Sequence, residues 1–123
     1  MGRELGDLAA REKEVTLTTT GRSSGKPRKV TIWISTDGER LFIRSGQGMK
    51  RDWPQNLEAK PEASLKMAGQ TIKVRARHLH DPAEVRAVAG FAAGKYGSYV
   101  KPSGPKEPLT PGEQATFELI PID

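Results

Sequence analysis

The sequence predicts a mainly β (α+β) domain in which about six antiparallel strands form a closed or nearly closed barrel. Alternating stretches rich in β-branched residues recur along the chain, and turn residues separate them. Only two segments begin with strong helix-start signals. With 123 residues, the chain can bury one hydrophobic core but is too short for two, so these elements belong to one domain.

The first part of the chain is expected to form a short helix and then a meander of three strands. Apolar residues recur at helical spacing within residues 3–13. We therefore treat residues 1–14 as an N-terminal helical segment and residues 15–123 as the barrel domain. The three strands, which are joined by a Gly/Ser-rich turn and by an Asp-Gly turn, cover residues 15–20, 30–34 and 41–45.

The central part of the chain is expected to form a capped helix and two strands. Asp52 is predicted to be the helix N-cap, Pro54 lies in the first turn, and the helix ends before Pro61. The two strands cover residues 63–67 and 72–77, and in the second of them apolar side chains alternate with cationic ones.

A second helix and a final strand are predicted for the last part of the chain. Asp81 is the expected N-cap, Glu84 completes a capping box, and the helix ends at Gly94 or Gly97. A proline-rich loop follows over residues 101–112, and the final strand covers residues 115–119. The aromatic side chains expected in the core are Trp33, Phe42, Phe91 and Phe117.

The composition excludes several classes of function. The absence of cysteine excludes a disulfide framework, a thiolate nucleophile and cysteine-ligated zinc or iron–sulfur sites. The formal net charge of +5 favours an anionic partner. Nucleic acid is not the expected partner, because few exposed aromatic residues accompany the basic ones. Without a long apolar run or a signal peptide, the chain is expected to be cytoplasmic and to make no integral membrane contact.

Three short motifs do not predict the chemistry that they superficially suggest. Residues 21–25 fit Gly-x-Ser-x-Gly but link two strands, whereas a hydrolase needs a strand–turn–helix. Pro27 occupies the position where a P-loop needs a Ser or Thr for magnesium. His78 and His80 would face the same side of a strand, but no further ligand lies nearby in the sequence, so no metal site is expected.

Two basic loops are the strongest candidates for a binding site. Glycine lets backbone N–H groups approach an anion, and arginine contacts phosphate through paired hydrogen bonds. The loops would form a phosphate cradle if they met, although solvated basic loops are equally compatible with this composition. Trp53 after the second loop either stacks on a bound ring or packs its helix onto the sheet. The loops contain Arg22, Ser23, Ser24, Gly25, Lys26 and Arg28, and Arg44, Ser45, Lys50 and Arg51.

Three segments in order resemble the deazaflavin (F420)-dependent nitroreductase family. They are LTTTGRSSGKPR at residues 17–28, WPQNLEAKPEA at residues 53–63 and YGSY at residues 96–99. The resemblance implies the split β-barrel of the pyridoxamine-phosphate-oxidase superfamily, with residues 15–123 as its cofactor-binding domain. It also implies a homodimer. The implied cofactor is F420, a hydride carrier with a phosphate and an acidic tail, with FMN as the alternative.

The resemblance further implies a reductase that transfers a hydride from reduced F420 or a flavin to a quinone, a nitroaromatic compound or an enone. The alternative is a non-catalytic flavin- or haem-binding split barrel. Tyr96 and Tyr99 are implied to line the substrate side, where Tyr99 or water would donate the proton. The implied cofactor contacts are Arg22, Ser24, Gly25, Arg28, Ser45, Trp53 and Asn56, and the basic loops add Ser23, Lys26, Lys50 and Arg51.

Overall fold

The computed structural model describes residues 2–122, which form helices around one curled β-sheet. The helices are α1 (Gly2–Arg11), α2 (Asp52–Ala59), α3 (Pro82–Tyr96) and α4 (Pro111–Gln114), with 3₁₀ turns at Gly48–Lys50 and Gly97–Tyr99. The strands are β1 (Glu14–Thr20), β2 (Pro27–Trp33), β3 (Ser35–Thr36), β4 (Leu41–Arg44), β5 (Glu62–Met67), β6 (Gln70–His78) and β7 (Thr116–Pro121). Within residues 2–122, none of these helices combines the length and apolar character needed to cross a membrane.

The sheet is antiparallel throughout and has the strand order β2-β1-β5-β6-β7-β4-β3. The chain passes from β2 at one edge to β3 at the other through Ile34 alone. Both edges must therefore lie close together, which requires the sheet to curl into a nearly closed barrel, as predicted. Strands with right-handed twist accommodate such curling readily.

The described sheet has seven strands instead of the six predicted, because the segment after residue 33 pairs separately. Ser35 pairs with Phe42 at the opposite edge, while Trp33 pairs with Glu14 of β1. The predicted meander is also wrong in part, since β4 pairs with β7 on its other side and not with β2. The β-propensity of a segment predicts that it is extended but not which strand it pairs with. The pairing is determined by tertiary packing.

The core fills the concave side of the sheet, and α1 closes one part of it. The alternation predicted for β1 is confirmed, since Val15 and Leu17 are buried and Glu14 is exposed. Leu5 and Ala9 of α1 are buried in the same cluster. A smaller cluster joins α3 to the sheet and consists of Phe42, Leu79, Val85 and Val88.

Several predicted helix ends are confirmed and others need correction. Asp81 caps α3 by accepting a hydrogen bond from the Glu84 N–H at 3.1 Å, and Gly97 ends the helix with a positive φ of 70°. Glu84 does not complete a capping box, because its carboxylate instead meets Arg77 at 3.0 Å. Asp52 is not an N-cap, since it is the first residue of α2; there its charge still favours the helix dipole.

Two further predictions are wrong, one because a local capping signal was missed and one for reasons of tertiary structure. The loop prediction for residues 101–112 missed α4, which begins with a complete capping box between Thr110 and Glu113. Phe42 and Phe117 are buried as predicted, but Phe91 is 39% exposed and Trp33 is only half-buried. Trp33 lies at the edge of the sheet beside a cavity, so its position in an apolar strand did not place it in the core.

Candidate functional site

Asn56 joins the β1–β2 turn to helix α2. Its Oδ1 accepts hydrogen bonds from the backbone N–H of Arg22 at 3.2 Å and from Arg22 Nη1 at 2.8 Å. Its Nδ2 donates to Thr19 Oγ1 at 3.2 Å, and the residue is only 2% exposed. Because a buried amide with satisfied donors and acceptors resists displacement, it holds the turn against the helix.

The β1–β2 turn is closed by its own hydrogen bonds. The Gly21 N–H donates to the carbonyl of Lys26 at 2.8 Å, and the Gly25 N–H donates to the carbonyl of Gly21 at 2.9 Å. Gly25 has a φ of 71°, which other residues rarely adopt, and Ser24 Oγ accepts from the Lys26 N–H at 3.2 Å. The turn thus has a defined shape despite its exposure.

A basic groove of about 600 Å³ lies between this turn, β2 and the start of α2. Its charged lining residues are five cations and one carboxylate, so it carries strong positive potential. The carboxylate of Asp52 lies 3.4 Å from Arg22 at the exposed mouth, where such a pair is weak. The five cations are Arg22, Arg28, Lys29, Lys50 and Arg51.

An aromatic pocket of about 340 Å³ adjoins the basic groove. The two cavities share Val30, Arg51 and Trp53 in their linings, so they lie on either side of one wall. Trp53 is 7% exposed and its ring lies 6.0 Å from that of Phe117. The tryptophan therefore packs its helix onto the sheet, as one of the two interpretations predicted, and it also contributes to both cavities. Its stacking on a bound ring stays a prediction.

Tyr96 and Tyr99 line the aromatic pocket but differ in their hydroxyl groups. The Tyr96 ring stacks on Trp33 at 4.2 Å, and its hydroxyl donates to the Lys13 carbonyl at 2.6 Å and accepts from the Ile34 N–H at 3.1 Å. Burial raises the pKa of Tyr96 above its usual value. Tyr99 is 83% exposed, and no hydrogen bond engages its hydroxyl within residues 2–122.

Arg44 places a half-buried cation in the wall of the aromatic pocket. Its Nη1 is buried and has no hydrogen-bond partner among the described residues. Burial lowers the pKa of the Arg44 guanidinium, and the charge of Glu113 partly offsets this effect. An unpaired buried donor costs free energy. Because Nη1 itself is buried, Arg44 would act on a molecule in the pocket through its positive charge and not through this atom. The sequence identified Arg44 only as one cation in a basic loop.

The structure brings most of the predicted cofactor residues to one place, while their roles stay predictions. Ser45 lies apart from the groove in the aromatic pocket with Tyr96 and Tyr99. Gly25 and Lys26 belong to the same turn but do not line the groove. Trp33 was missed as a pocket residue, because no sequence signal separates it from a core tryptophan. The predicted residues that line the groove are Arg22, Ser23, Ser24, Arg28, Lys50, Arg51, Trp53 and Asn56.

Comparisons with known proteins point to one family and one fold. A family model described as F420H(2)-dependent quinone reductase matches residues 1–104. A solved F420H2-dependent reductase is 24% identical with a TM-score of 0.68, and the match covers 88% of this chain and 94% of that one. The heme storage protein HutZ from Vibrio cholerae is 19% identical with a TM-score of 0.70, and the match covers 98% of this chain and 89% of that one.

A third solved structure, described as a domain-swapped dimer, is 22% identical with a TM-score of 0.69, and the match covers 95% of this chain and 91% of that one. At these identities the structural likenesses establish the fold, which is the split β-barrel.

Proposed function

The chain belongs to the F420H(2)-dependent quinone reductase family, and on this premise we propose that it reduces a small organic acceptor with reduced F420. The observation that carries the proposal is the adjacency of the basic groove and the aromatic pocket across Val30, Arg51 and Trp53. F420 combines an anionic phosphate and acidic tail with a planar ring. The two cavities match these two parts separately.

The basic groove suits the anionic part of the cofactor. Arg22 and Arg28 present guanidinium groups that can pair with phosphate oxygens, and Lys29, Lys50 and Arg51 add charge around them. Asn56 acts on this surface indirectly, because its side-chain oxygen is occupied by Arg22. We therefore assign Asn56 to positioning the turn, and the groove cations to binding.

The aromatic pocket suits the ring and the acceptor. Trp33 and Tyr96 form a stacked pair that can cover an apolar ring and exclude water from it, and Trp53 bounds the other side. When bound, the reduced deazaflavin supplies a hydride, and the protein contributes orientation and electrostatics.

Two side chains can assist the reduction of the acceptor. The positive charge of Arg44 in the pocket wall favours a carbonyl or nitro oxygen that gains negative charge as the hydride arrives. The Tyr99 hydroxyl, or a water beside it, can then donate the proton that completes the reduction. In the case of a quinone, one hydride and one proton together give the hydroquinone. Quinones, nitroaromatic compounds and enones all offer the required oxygen.

We also expect a homodimer. Phe91 and Ile120 are large apolar side chains that are 39% and 38% exposed on one chain. A second copy would bury apolar surface that a small domain leaves exposed. The structural relative described as a domain-swapped dimer supports this expectation. Light scattering on a size-exclusion column should give twice the chain mass of 13.4 kDa, and a monomer at micromolar concentration would contradict it.

The proposed function can be tested with purified protein. Fluorescence titration should show saturable binding of F420, and reduced F420 should be oxidised when a quinone is added. FMN and haem serve as competing ligands in parallel titrations. Binding of FMN or haem without any oxidation of reduced F420 across a panel of quinones, nitroaromatics and enones would overturn the proposal.

A further inference from the structure

A cluster of three metal-ligating side chains lies outside both cavities, and we propose that it binds a divalent transition metal ion of the zinc type. Glu58 projects from the last turn of α2, His78 ends β6, and His80 follows two residues later. One ligand atom from each residue lies within 4.8 Å of the other two. Sequence separation concealed the cluster, because Glu58 is 20 residues from His78.

The surroundings of His78 determine which of its nitrogens is available. Its Nε2 lies 2.8 Å from the backbone carbonyl oxygen of Gln114, which can only accept a hydrogen bond. Nε2 must therefore carry a proton, and in the neutral ring Nδ1 carries the lone pair. Metal-binding histidines usually donate their other ring N–H to a carbonyl or carboxylate in this way. Gln114 thus orients Nδ1 as a ligand.

The contact between His78 and Glu58 is compatible with a shared cation. The Nδ1 atom of His78 directly contacts Oε1 of Glu58, so two lone-pair donors face each other. A proton could bridge this pair, but it would give no reason for a third donor to converge on the same point. The ring of His80 lies 4.3 Å from that of His78, centroid to centroid. A metal ion uses all three donors at once.

The donor set selects the kind of ion. Two imidazole nitrogens and one carboxylate oxygen suit zinc and neighbouring transition metals better than calcium or magnesium, which prefer oxygen alone. Three protein ligands would leave one tetrahedral position for water. Glu58 and His80 are exposed, so this position is open to solvent and their side chains can adjust to the ion.

The ion would connect α2 to the end of β6. α2 also carries Trp53 and Asn56, which line the basic groove. The ring of His78 stacks on Phe117 at 4.4 Å, and this contact anchors the histidine in the sheet. Metal binding should therefore stabilise the attachment of α2 without contributing a group to either cavity.

The test uses untagged full-length protein that has been treated with a chelator and dialysed. Calorimetric titration should show one Zn²⁺ bound per chain, and Zn²⁺ should raise the melting temperature reversibly. Co²⁺ should give the visible absorption of a four-coordinate site. His80→Ala and Glu58→Gln should each weaken Zn²⁺ binding by at least about 10-fold.

Glu62→Gln is the matched control, because Glu62 is an exposed carboxylate that is paired with Arg75 at 3.2 Å. This substitution should leave the affinity for Zn²⁺ unchanged. Two outcomes would overturn the proposal: no saturable Zn²⁺ binding by the folded wild type, or equal affinity in wild type and His80→Ala. Nitrogen NMR that showed both His78 ring nitrogens protonated in the presence of excess Zn²⁺ would also overturn it. None of these metal-binding measurements depends on F420, so the metal proposal can fail independently of the proposed function.

Discussion

Asn56 Oδ1 and Arg22 Nη1 lie 2.8 Å apart, and this hydrogen bond makes the shape of the basic groove depend on helix α2. The same oxygen also accepts the backbone N–H of Arg22, so one buried amide orients both the main chain and the side chain of a groove cation. Positioning groups of this kind matter because small displacements of a binding group are costly.

Replacing Asn56 should weaken both folding and cofactor binding. Asn56→Ala removes three hydrogen bonds and leaves Thr19 Oγ1 without its donor, so we expect a loss of about 1–3 kcal/mol in the free energy of unfolding. Urea denaturation checks this value, and fluorescence titration should show weaker F420 binding. Wild-type stability together with wild-type affinity would show that the amide has no such role.

Removing a groove cation should affect binding alone. Arg28 is exposed and lines the groove, so Arg28→Ala should weaken F420 binding by about 1.5–3 kcal/mol if it donates to phosphate. Arg75→Ala is the control, because that arginine is paired with Glu62 outside the groove. An unchanged dissociation constant for Arg28→Ala would identify it as a solvated strand residue.

Replacing Tyr99 should affect catalysis, whereas replacing Tyr96 should affect stability. Tyr99→Phe should lower kcat by about 10²-fold if the hydroxyl is the proton donor, with unchanged thermal stability. Tyr96→Phe should instead lower the melting temperature, since its hydroxyl bonds the Lys13 carbonyl and the Ile34 N–H. Steady-state kinetics and thermal unfolding measure both. A Tyr99→Phe enzyme with wild-type kcat would transfer the proton role to water.

Arg44 should contribute to activity at the expense of stability. Arg44→Met removes a half-buried cation whose buried Nη1 lacks a partner among the described residues, so the variant should be as stable as wild type or more stable. The kcat should fall by about 10-fold or more, because a positive charge that stabilises developing negative charge is lost. Destabilisation with normal kinetics would identify Arg44 as a structural residue.

Glu113 should give the fold an acid-sensitive component. Burial alone would raise the pKa of Glu113, but the N–H groups of Thr110 at 2.9 Å and Ser103 at 3.1 Å favour its ionised form, and the pKa falls below the usual 4.5. This stabilisation is therefore present above pH 4.5 and is lost as the pH falls through the lower folded-state pKa.

Glu113→Gln tests this directly. The variant should be less stable than wild type at neutral pH, and its free energy of unfolding should fall less steeply below pH 4.5. Urea unfolding at a series of pH values measures both slopes. Parallel pH profiles for the two proteins would contradict the assignment.

Local sequence patterns predicted those helix ends and strand faces that depend only on neighbouring residues in the chain. The cap at Asp81 and the stop at Gly97 are properties of the backbone near α3, and the alternation of β1 follows from having one buried face. The basic character of the groove was also predictable, because its cations lie in two short segments of the chain, residues 22–29 and 50–51.

Apart from the short helix α4, whose capping signal is local, the features that were not predicted depend on partners far away in the chain. Trp33 lies beside a cavity because Tyr96, 63 positions later, stacks on it. The hydroxyl of Tyr96 is occupied by Lys13, which no local pattern relates to it. The pairing of β4 with β7 is equally remote, since Leu41 lies opposite Leu119. Such contacts arise from packing, which period and propensity do not describe.

The wall formed by Val30, Arg51 and Trp53 separates two compartments. In the proposed function one compartment binds the anionic part of the cofactor, and the other holds its ring and the acceptor. Trp33 and Tyr99 do not line the groove with the five cations, so substitutions there should change contacts with the ring and the acceptor while the anionic part of the coenzyme stays anchored. Single substitutions in the aromatic pocket could therefore change the range of acceptors that the protein reduces, without loss of the cationic groove that binds the electron donor.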